Sequence, residues 1–538
     1  MAFQNHSSGR FRVEGSVETA GRPAEWRPSH NPWLIALAVM LGTFMEVLDT
    51  SVANVALPHI GGSLSATPEE ATWVLTSYLV SNAIILPTTA WLASVFGRKR
   101  LLLTCIAIFT VSSAICGAAT SLGMLIVARV VQGIGGGALQ PIAQAILLES
   151  FPPAKRGVAM ATFSMGIIVA PILGPTLGGW ITDQYTWRWV FYINLPIGLL
   201  ALLLVLSFIE DPPYLERSRF RRMDYLGFGF MSLWLGAMQI MLDKGQEDDW
   251  FSSPRIRTLA VVSVIAMVSF IVREIVTDEP IVNFSVLRER NFAVGTVLIT
   301  MLGVVLYGTT AMLPLFLQTL MGYSALDSGM AVSPRGLGAL LSAFVVGRLI
   351  GVVDSRLLLG VGFGALAFSG WMFSHLTLNI SMASVVAANV INGAATGLIF
   401  VPLSTTTLGL VPRERMGNAT GIYNLMRNIG AGVGISLMTT FLARGAQAHQ
   451  ATLVTHVTPY DPAYQQWLRA AQSALGAHGN PVTAPSQALG LLYAAVVRQA
   501  TLLAFLDNFR LITLAALVCL PLLLLFRRTR ARAAPGAH

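Results

Sequence analysis

The chain is short of charge. Only 11% of its 538 residues are Asp, Glu, Lys or Arg, against about a quarter in a soluble globular protein, which excludes a water-facing enzyme surface. Cysteine is scarcer still. Its three copies, Cys105, Cys116 and Cys519, sit in apolar runs without CxxC spacing, which excludes a disulfide framework or a metal cluster. Of eight histidines only His375 approaches an apolar stretch, at its end, so no histidine relay crosses a membrane here. HExxH, GxSxG and Walker A patterns are missing, as is any acid or histidine grouping with metal-ligand spacing. An enzyme is therefore not expected, no metal or cofactor is expected, and without a nucleotide site work must be driven by an ion gradient.

Hydrophobic residues, by contrast, make up 54% of the chain, with 49 Gly and 26 Pro spread among them. Small residues scattered through apolar sequence suit packed transmembrane helices. Fourteen stretches reach the roughly 20 residues needed to cross a hydrocarbon core, and they predict an all-α integral membrane protein. The seventh, 225–242, is the shortest and could be mistaken for a re-entrant segment. Lys and Arg give the direction. With the N-terminus inside, cytoplasmic segments hold 24 of them and the short loops opposite hold 4, which predicts two cytoplasmic termini. The net charge of +9 then follows from topology, and no nucleic-acid partner is implied.

Arg-rich loops after spans 2 and 10 occupy equivalent places once spans 7 and 8 are set aside, leaving six plus six. This arrangement resembles the duplicated architecture of major facilitators, which would place a site at the interface near the midplane. The expected parts are a cytoplasmic tail 1–32, which lacks the apolar core of a signal peptide, and a six-helix bundle 33–208. A linker 209–291 with two extra helices, a second bundle 292–526 and a cytoplasmic tail 527–538 follow. The long loop 443–502, on the non-cytoplasmic side, has an amphipathic piece around Tyr464 to Leu475. It reads either as a tolerated surface insertion or as a partner-docking element.

Span 1 carries Glu46 and Asp49, three residues apart on one helical face. Acids at that depth must face a cavity, and an intramembrane acid is a functional candidate by default. Desolvation raises such an acid toward the range where it loads and releases a proton; the alternative is a structural bond to a neighbouring helix. Span 4 places Arg129, Gln132, Gly133 and Gly136 on one face. Counting about 16 residues up span 1 and about five into the antiparallel span 4, Asp49 and Arg129 reach similar height at 1.5 Å per residue, so an ion pair is possible. Proton coupling is thus assigned to Asp49, Arg129 and Glu46.

Span 5 has Gly166, Pro171, Gly174, Pro175, Gly178 and Gly179, a small-residue stripe for close helix approach and two prolines that bend the helix. Arg335 and Arg427 lie deep in spans 10 and 13, where isolated arginines need acids, carbonyls or a ligand. They either hold the second half together or attract an anionic group. With Asn54, Gln132 and Asn424 they form the candidate substrate cavity.

Leu48-Asp49-Thr50-Ser51-Val52-Ala53-Asn54-Val55-Ala56-Leu57-Pro58 resembles the span-1 signature of fourteen-span drug:proton antiporters of the EmrB/QacA type. Arg129-Val130-Val131-Gln132-Gly133 looks like the span-4 motif of major facilitators, whose Arg is implicated in proton coupling. Gly174-Pro175-Thr176-Leu177-Gly178-Gly179 resembles the antiporter motif of exporters. The superfamily's loop motif would place an acid at Ser94 and Arg at Val95; here Gly97, Arg98, Lys99 and Arg100 remain. The loop 443–502 looks most like the EmrB branch, and the resemblance implies that branch's partners, a periplasmic adaptor and an outer-membrane channel in Gram-negative cells.

The function expected is export of hydrophobic or amphipathic compounds outward against protons, multidrug efflux at the inner membrane. The alternatives are transport of one physiological solute, such as a fatty acid, siderophore or amino acid, and a non-transporting sensor or scaffold. A carboxylate serves sodium as well as protons, so residues alone leave the coupling ion open.

Overall fold

The computed structural model describes residues 28–66, 68–152, 155–211, 224–277, 280–350, 352–412, 415–478 and 482–527. The tails 1–27 and 528–538 and the basic segment from Arg217 to Arg222 lie outside the described residues. Helices α1 (Pro32–Ser63), α2 (Trp73–Phe96), α3 (Arg98–Gly117) and α4 (Leu122–Ser150) come first. They are followed by α5 (Arg156–Gln184), α6 (Trp189–Phe208), α7 (Tyr225–Lys244) and α8 (Pro254–Val276). Then come α9 (Arg290–Thr319), α10 (Asp327–Leu349), α11 (Ser355–Phe373), α12 (Met382–Leu408), α13 (Met416–His456) and α14 (Ala484–Leu525). Thirteen of these among the described residues are long and apolar enough to cross a membrane. The remaining one, α5, is an unbroken helix of 29 residues. The short seventh stretch is a full helix of 20 residues capped by Asp224, whose side chain accepts from Gly227 N–H. Fourteen alternating helices bring Pro32 and Leu525 to one face, the terminal face, and the opposite one is the loop face.

Helix pairing repeats with a shift of eight. In the first half α1 packs on α5 and α6, α2 on α4, and α3 on α4 and α6. In the second half α9 packs on α13 and α14, α10 on α12, and α11 on α12 and α14. The halves meet where α5 lies against α10 and, by the same relation, α13 against α2. Glycines allow the approach. Near the terminal face a Cβ on Gly157 would come within 2.1 Å of Ile350 Cγ2, and Gly417 sits against Ala90. The inserted helix α7 touches both halves. At its loop-face end Asp243 accepts from Thr76 Oγ1 and Lys244 Nζ donates to Thr72 Oγ1 at 2.5 Å. Just beyond, Trp250 Nε1 donates to Thr440 Oγ1 of α13 at 2.9 Å.

The segment 443–502, expected as a loop, is largely helix. α13 runs on to His456 and α14 starts at Ala484, so both spans project well past the roughly 20 residues a bilayer needs. A separate helix, Pro462–His478, packs on α14. The physical reason is propensity: the extensions are rich in Ala, Gln and Leu, and their one proline, Pro485, sits in the first turn of α14 where it is tolerated, so the helix continues where apolar length stops. The piece around Tyr464 to Leu475 lies within Pro462–His478.

Candidate functional site

Asp49 sits inside the first half with no exposed surface. Its Oδ2 accepts from Arg129 Nη1 at 2.5 Å, and its Oδ1 from Gln132 Nε2 at 3.0 Å and Asn194 Nδ2 at 2.6 Å. Arg129 is equally buried, donates from Nε to the Val74 carbonyl at 3.0 Å, and stacks 4.3 Å above the Tyr78 ring. Such a pair stands in a low-dielectric interior only because each charge finds several partners. Small residues make the packing possible. A Cβ on Gly133 would meet Ser81 Oγ at 2.0 Å and the Tyr78 carbonyl at 2.5 Å, and one on Gly136 would meet the Tyr78 hydroxyl at 2.6 Å.

Glu46, one turn away, belongs to a second network. It accepts from Asn82 Nδ2 at 3.2 Å, Tyr78 Oη at 3.4 Å and Gln140 Nε2 at 2.9 Å. Gln140 Oε1 in turn accepts from Arg427 Nη2 of the second half. One turn along α4, Gln144 Oε1 accepts from Asn424 Nδ2 at 2.7 Å. A carboxylate of one half and a guanidinium of the other are thus joined through one amide, at the seam where the halves must part if they rock.

Other expected residues land apart. Asn54 is exposed on α1, away from both networks. Gly166, Gly174 and Gly178 face α1: their Cβ positions would meet Met40 Cγ at 2.7 Å, Ser51 Oγ at 2.1 Å and Val52 at 3.1 Å. Gly179 faces nothing within 4 Å and takes no part in that contact. The helix passes through Pro171 and Pro175, whose side chains lie outside the described residues. In the terminal-face motif, Gly97 has φ of 82° and lies under Asp211, which also accepts from Lys99 N–H at 2.9 Å. Arg98 is buried and paired with Glu149 of α4, while Arg100 is exposed. Ser94, where the superfamily's loop motif would place an acid, donates to the carbonyl of Trp91 on its own helix at 2.7 Å.

Sequence reasoning missed Tyr78, Asn82, Asn194, Gln140 and Gln144. All are neutral and common in helices, so charge and motif searches pass over them; amides spaced by four in an apolar span, as Gln140 and Gln144 are, were the available signal. It also missed a repeat. Ala128-Arg129-Val130-Val131-Gln132-Gly133 on α4 matches Ala388-Asn389-Val390-Ile391-Asn392-Gly393 on α12. Packing fixes the register: Gly133 abuts the Tyr78 carbonyl, and a Cβ on Gly393 would lie 1.7 Å from the Arg335 carbonyl. Gly137 abuts the Asn82 carbonyl and Gly397 the Ala339 carbonyl. Arg129, Gln132 and Tyr78 therefore correspond to Asn389, Asn392 and Arg335.

Residues 39–435 match the Major Facilitator Superfamily. The chain is 39% identical to the multidrug export protein EmrB of Haemophilus influenzae over 81% of this chain and 85% of that protein. It is 37% identical to the fatty acid resistance protein FarB of Neisseria gonorrhoeae over 79% and 84%, and 28% to the colistin resistance protein EmrB of Acinetobacter baumannii over 92% and 96%. The crystal structure of the human organic anion transporter MFSD10 (TETRAN) superposes with a TM-score of 0.57 at 13% identity, covering 91% of this chain and all of that one. A bacterial homologue of the human lysosomal transporter Spinster, inward-facing and unoccupied, superposes at 0.54 and 17% identity, covering 92% and 97%. The repeated helix pairing, the buried acid with its arginine and these matches together place the chain in the Major Facilitator Superfamily, in its EmrB branch, as a multi-pass membrane protein.

Proposed function

We propose that the chain is a multidrug efflux transporter that exports hydrophobic or amphipathic small molecules in exchange for protons. The observation that carries the reading is Asp49, a carboxylate with no exposed surface whose partners include an equally buried guanidinium. Protonating Asp49 removes the charge that holds Arg129 and leaves that cation to seek other partners, so the proton changes the relative energy of two packings. Glu46 gives the change a route to the other half through Gln140 and Arg427. The names of the relatives at 39% and 37% identity, a multidrug export protein and a fatty acid resistance protein, support export of small amphipathic molecules.

The terminal face lies in the cytoplasm, on the strength of its excess of Lys and Arg, and the membrane is the inner membrane of a Gram-negative cell. The projecting ends of α13 and α14 with the helix Pro462–His478 reach into the periplasm and dock the adaptor that leads to an outer-membrane channel. Exposed Trp467, Leu489, Leu491 and Tyr493 are the apolar part of that surface.

The test is efflux from proteoliposomes under an imposed pH gradient. Wild type accumulates substrate against its gradient, whereas Asp49→Asn and Arg129→Ala insert and lose accumulation. Undiminished accumulation by Asp49→Asn overturns proton coupling at this site. Replacing the pH gradient by a sodium gradient separates the two ions, and cross-linking of a shortened 443–502 segment to the adaptor tests docking.

A further inference from the structure

The duplicated frame carries its charges unequally. In the first half the buried cation, Arg129, faces Asp49 of α1. The corresponding helix of the second half is α9: Gly174 of α5 meets Ser51 of α1, and its counterpart Gly434 of α13 meets Val304 of α9. That register places Leu302 where Asp49 stands and Ile299 where Glu46 stands. No Asp or Glu occurs anywhere in α9, α11 or α12. Yet the second half keeps a buried cation of its own, Arg335 on α10, 7% exposed.

Arg335 Nη1 donates to Thr310 Oγ1 of α9 at 2.8 Å; its Nη2 has no partner, as Nη2 of Arg129 has none, but unlike Arg129, Arg335 has no carboxylate partner among the described residues. On α12, whose Gly393 packs against the Arg335 backbone carbonyl, are two further amides with unmet hydrogen-bonding capacity. Asn389 donates to the Ala331 carbonyl at 3.2 Å and leaves its Oδ1 unpartnered; Asn392, one residue from Gly393, has neither amide atom partnered. Arg427, the other deep arginine of this half, is already tied across the seam by Gln140. Buried polar groups are nearly always satisfied, and a lone buried guanidinium demands an anion. Its planar fork matches a carboxylate's two oxygens. Thr310 and, one turn before it, Tyr307 are only partly buried.

We infer that Arg335, with Thr310 and the α12 amides Asn389 and Asn392, forms an oxyanion subsite that takes the carboxylate of amphipathic monoanionic substrates. The proposal rests on the export reading and adds a substrate class to it. In the first half the protein supplies the acid that neutralises its buried arginine; in the second half the cargo supplies it. Cationic and neutral cargo bypass this subsite.

Two probes with the same tail and opposite heads, dodecanoate and dodecyltrimethylammonium, separate head recognition from tail burial. Equilibrium binding of both is measured on the full chain in phosphatidylcholine nanodiscs. Arg335→Gln is expected to weaken dodecanoate about tenfold or more, the loss of one charge-assisted hydrogen-bond pair, and to leave the ammonium probe within about twofold. Arg335→Lys, which keeps the charge and loses the fork, is expected to fall between. Equal loss for both probes identifies Arg335 as structural and overturns the proposal, as does no loss for either. Repeating the comparison with phosphatidylglycerol added addresses a lipid ligand: an Arg335 effect seen only with that lipid means that a headgroup occupies the subsite, and the substrate proposal falls. Wild type that binds only the ammonium probe overturns the subsite but spares multidrug export, whereas wild type that binds neither overturns both.

Discussion

The same helices, used twice, hold their buried arginines in opposite ways. In the first half Arg129 is matched by an acid on α1, an amide on its own helix and an aromatic face on α2. In the second half the equivalent of that aromatic is itself the arginine, the equivalents of Arg129 and Gln132 are asparagines with unmet atoms, and the acid has become leucine. Backbone geometry was preserved because glycines set the helix spacing, while charge was free to diverge because it enters through side chains alone. On the reading proposed above, one half exchanges a proton with its own acid and the other exchanges a ligand.

The largest effect is expected from removing the first-half cation. Arg129→Ala leaves Asp49 buried without its charge partner and should cost about 3–5 kcal/mol of stability, read as a fall in thermal transition of the full chain in nanodiscs. Arg335→Ala strands no carboxylate and should be close to neutral; equal losses from the two would erase the asymmetry. Next in size is the insertion of an acid beside Arg335. Thr310→Asp places a carboxylate at the atom that now accepts from Nη1, and should raise stability by about 1–3 kcal/mol while abolishing selective dodecanoate binding. A stabilised variant that still binds dodecanoate would contradict the subsite.

The frame itself is expected to respond symmetrically. Gly133→Ala and Gly393→Ala each push a methyl into the facing helix, at about 1–3 kcal/mol apiece, and a large difference between them would undo the register on which the comparison stands. The smallest effect belongs to a site outside both clusters. Arg273 holds the Asp224 carboxyl below the usual carboxylate range by hydrogen bonding, helped by Gly227 N–H. A depressed carboxyl contributes stability above its unfolded value and loses it as pH falls through its folded value. Asp224→Asn should therefore flatten the acid limb of the stability profile and leave binding of both probes unchanged.

Much of this was legible in the residues. Span lengths gave the fold because a hydrocarbon core admits few alternatives, and depth counting set Asp49 beside Arg129 because helical rise is constant. Asn194 and Gln140 were not legible, since an uncharged amide in an apolar span has many harmless explanations. The lone state of Arg335 was hidden for a different reason. It is a statement about what another helix lacks, and it required the register between α4 and α12, which the glycine approaches reveal and the weak repeat in sequence does not. The helical run beyond span 13 escaped because span finding follows hydropathy, whereas helix continuation follows propensity.

That run has a mechanical meaning. α13 is continuous from Arg427, at the seam between the halves, to His456, a distance of about 44 Å at 1.5 Å per residue. A stiff rod pivoting near its base magnifies small motions, and a turn of about 15° would sweep its tip through roughly 11 Å. Whatever rests on the projecting helices would be levered once in every turnover, with the amplitude decided where Gln140 and Gln144 span the two halves.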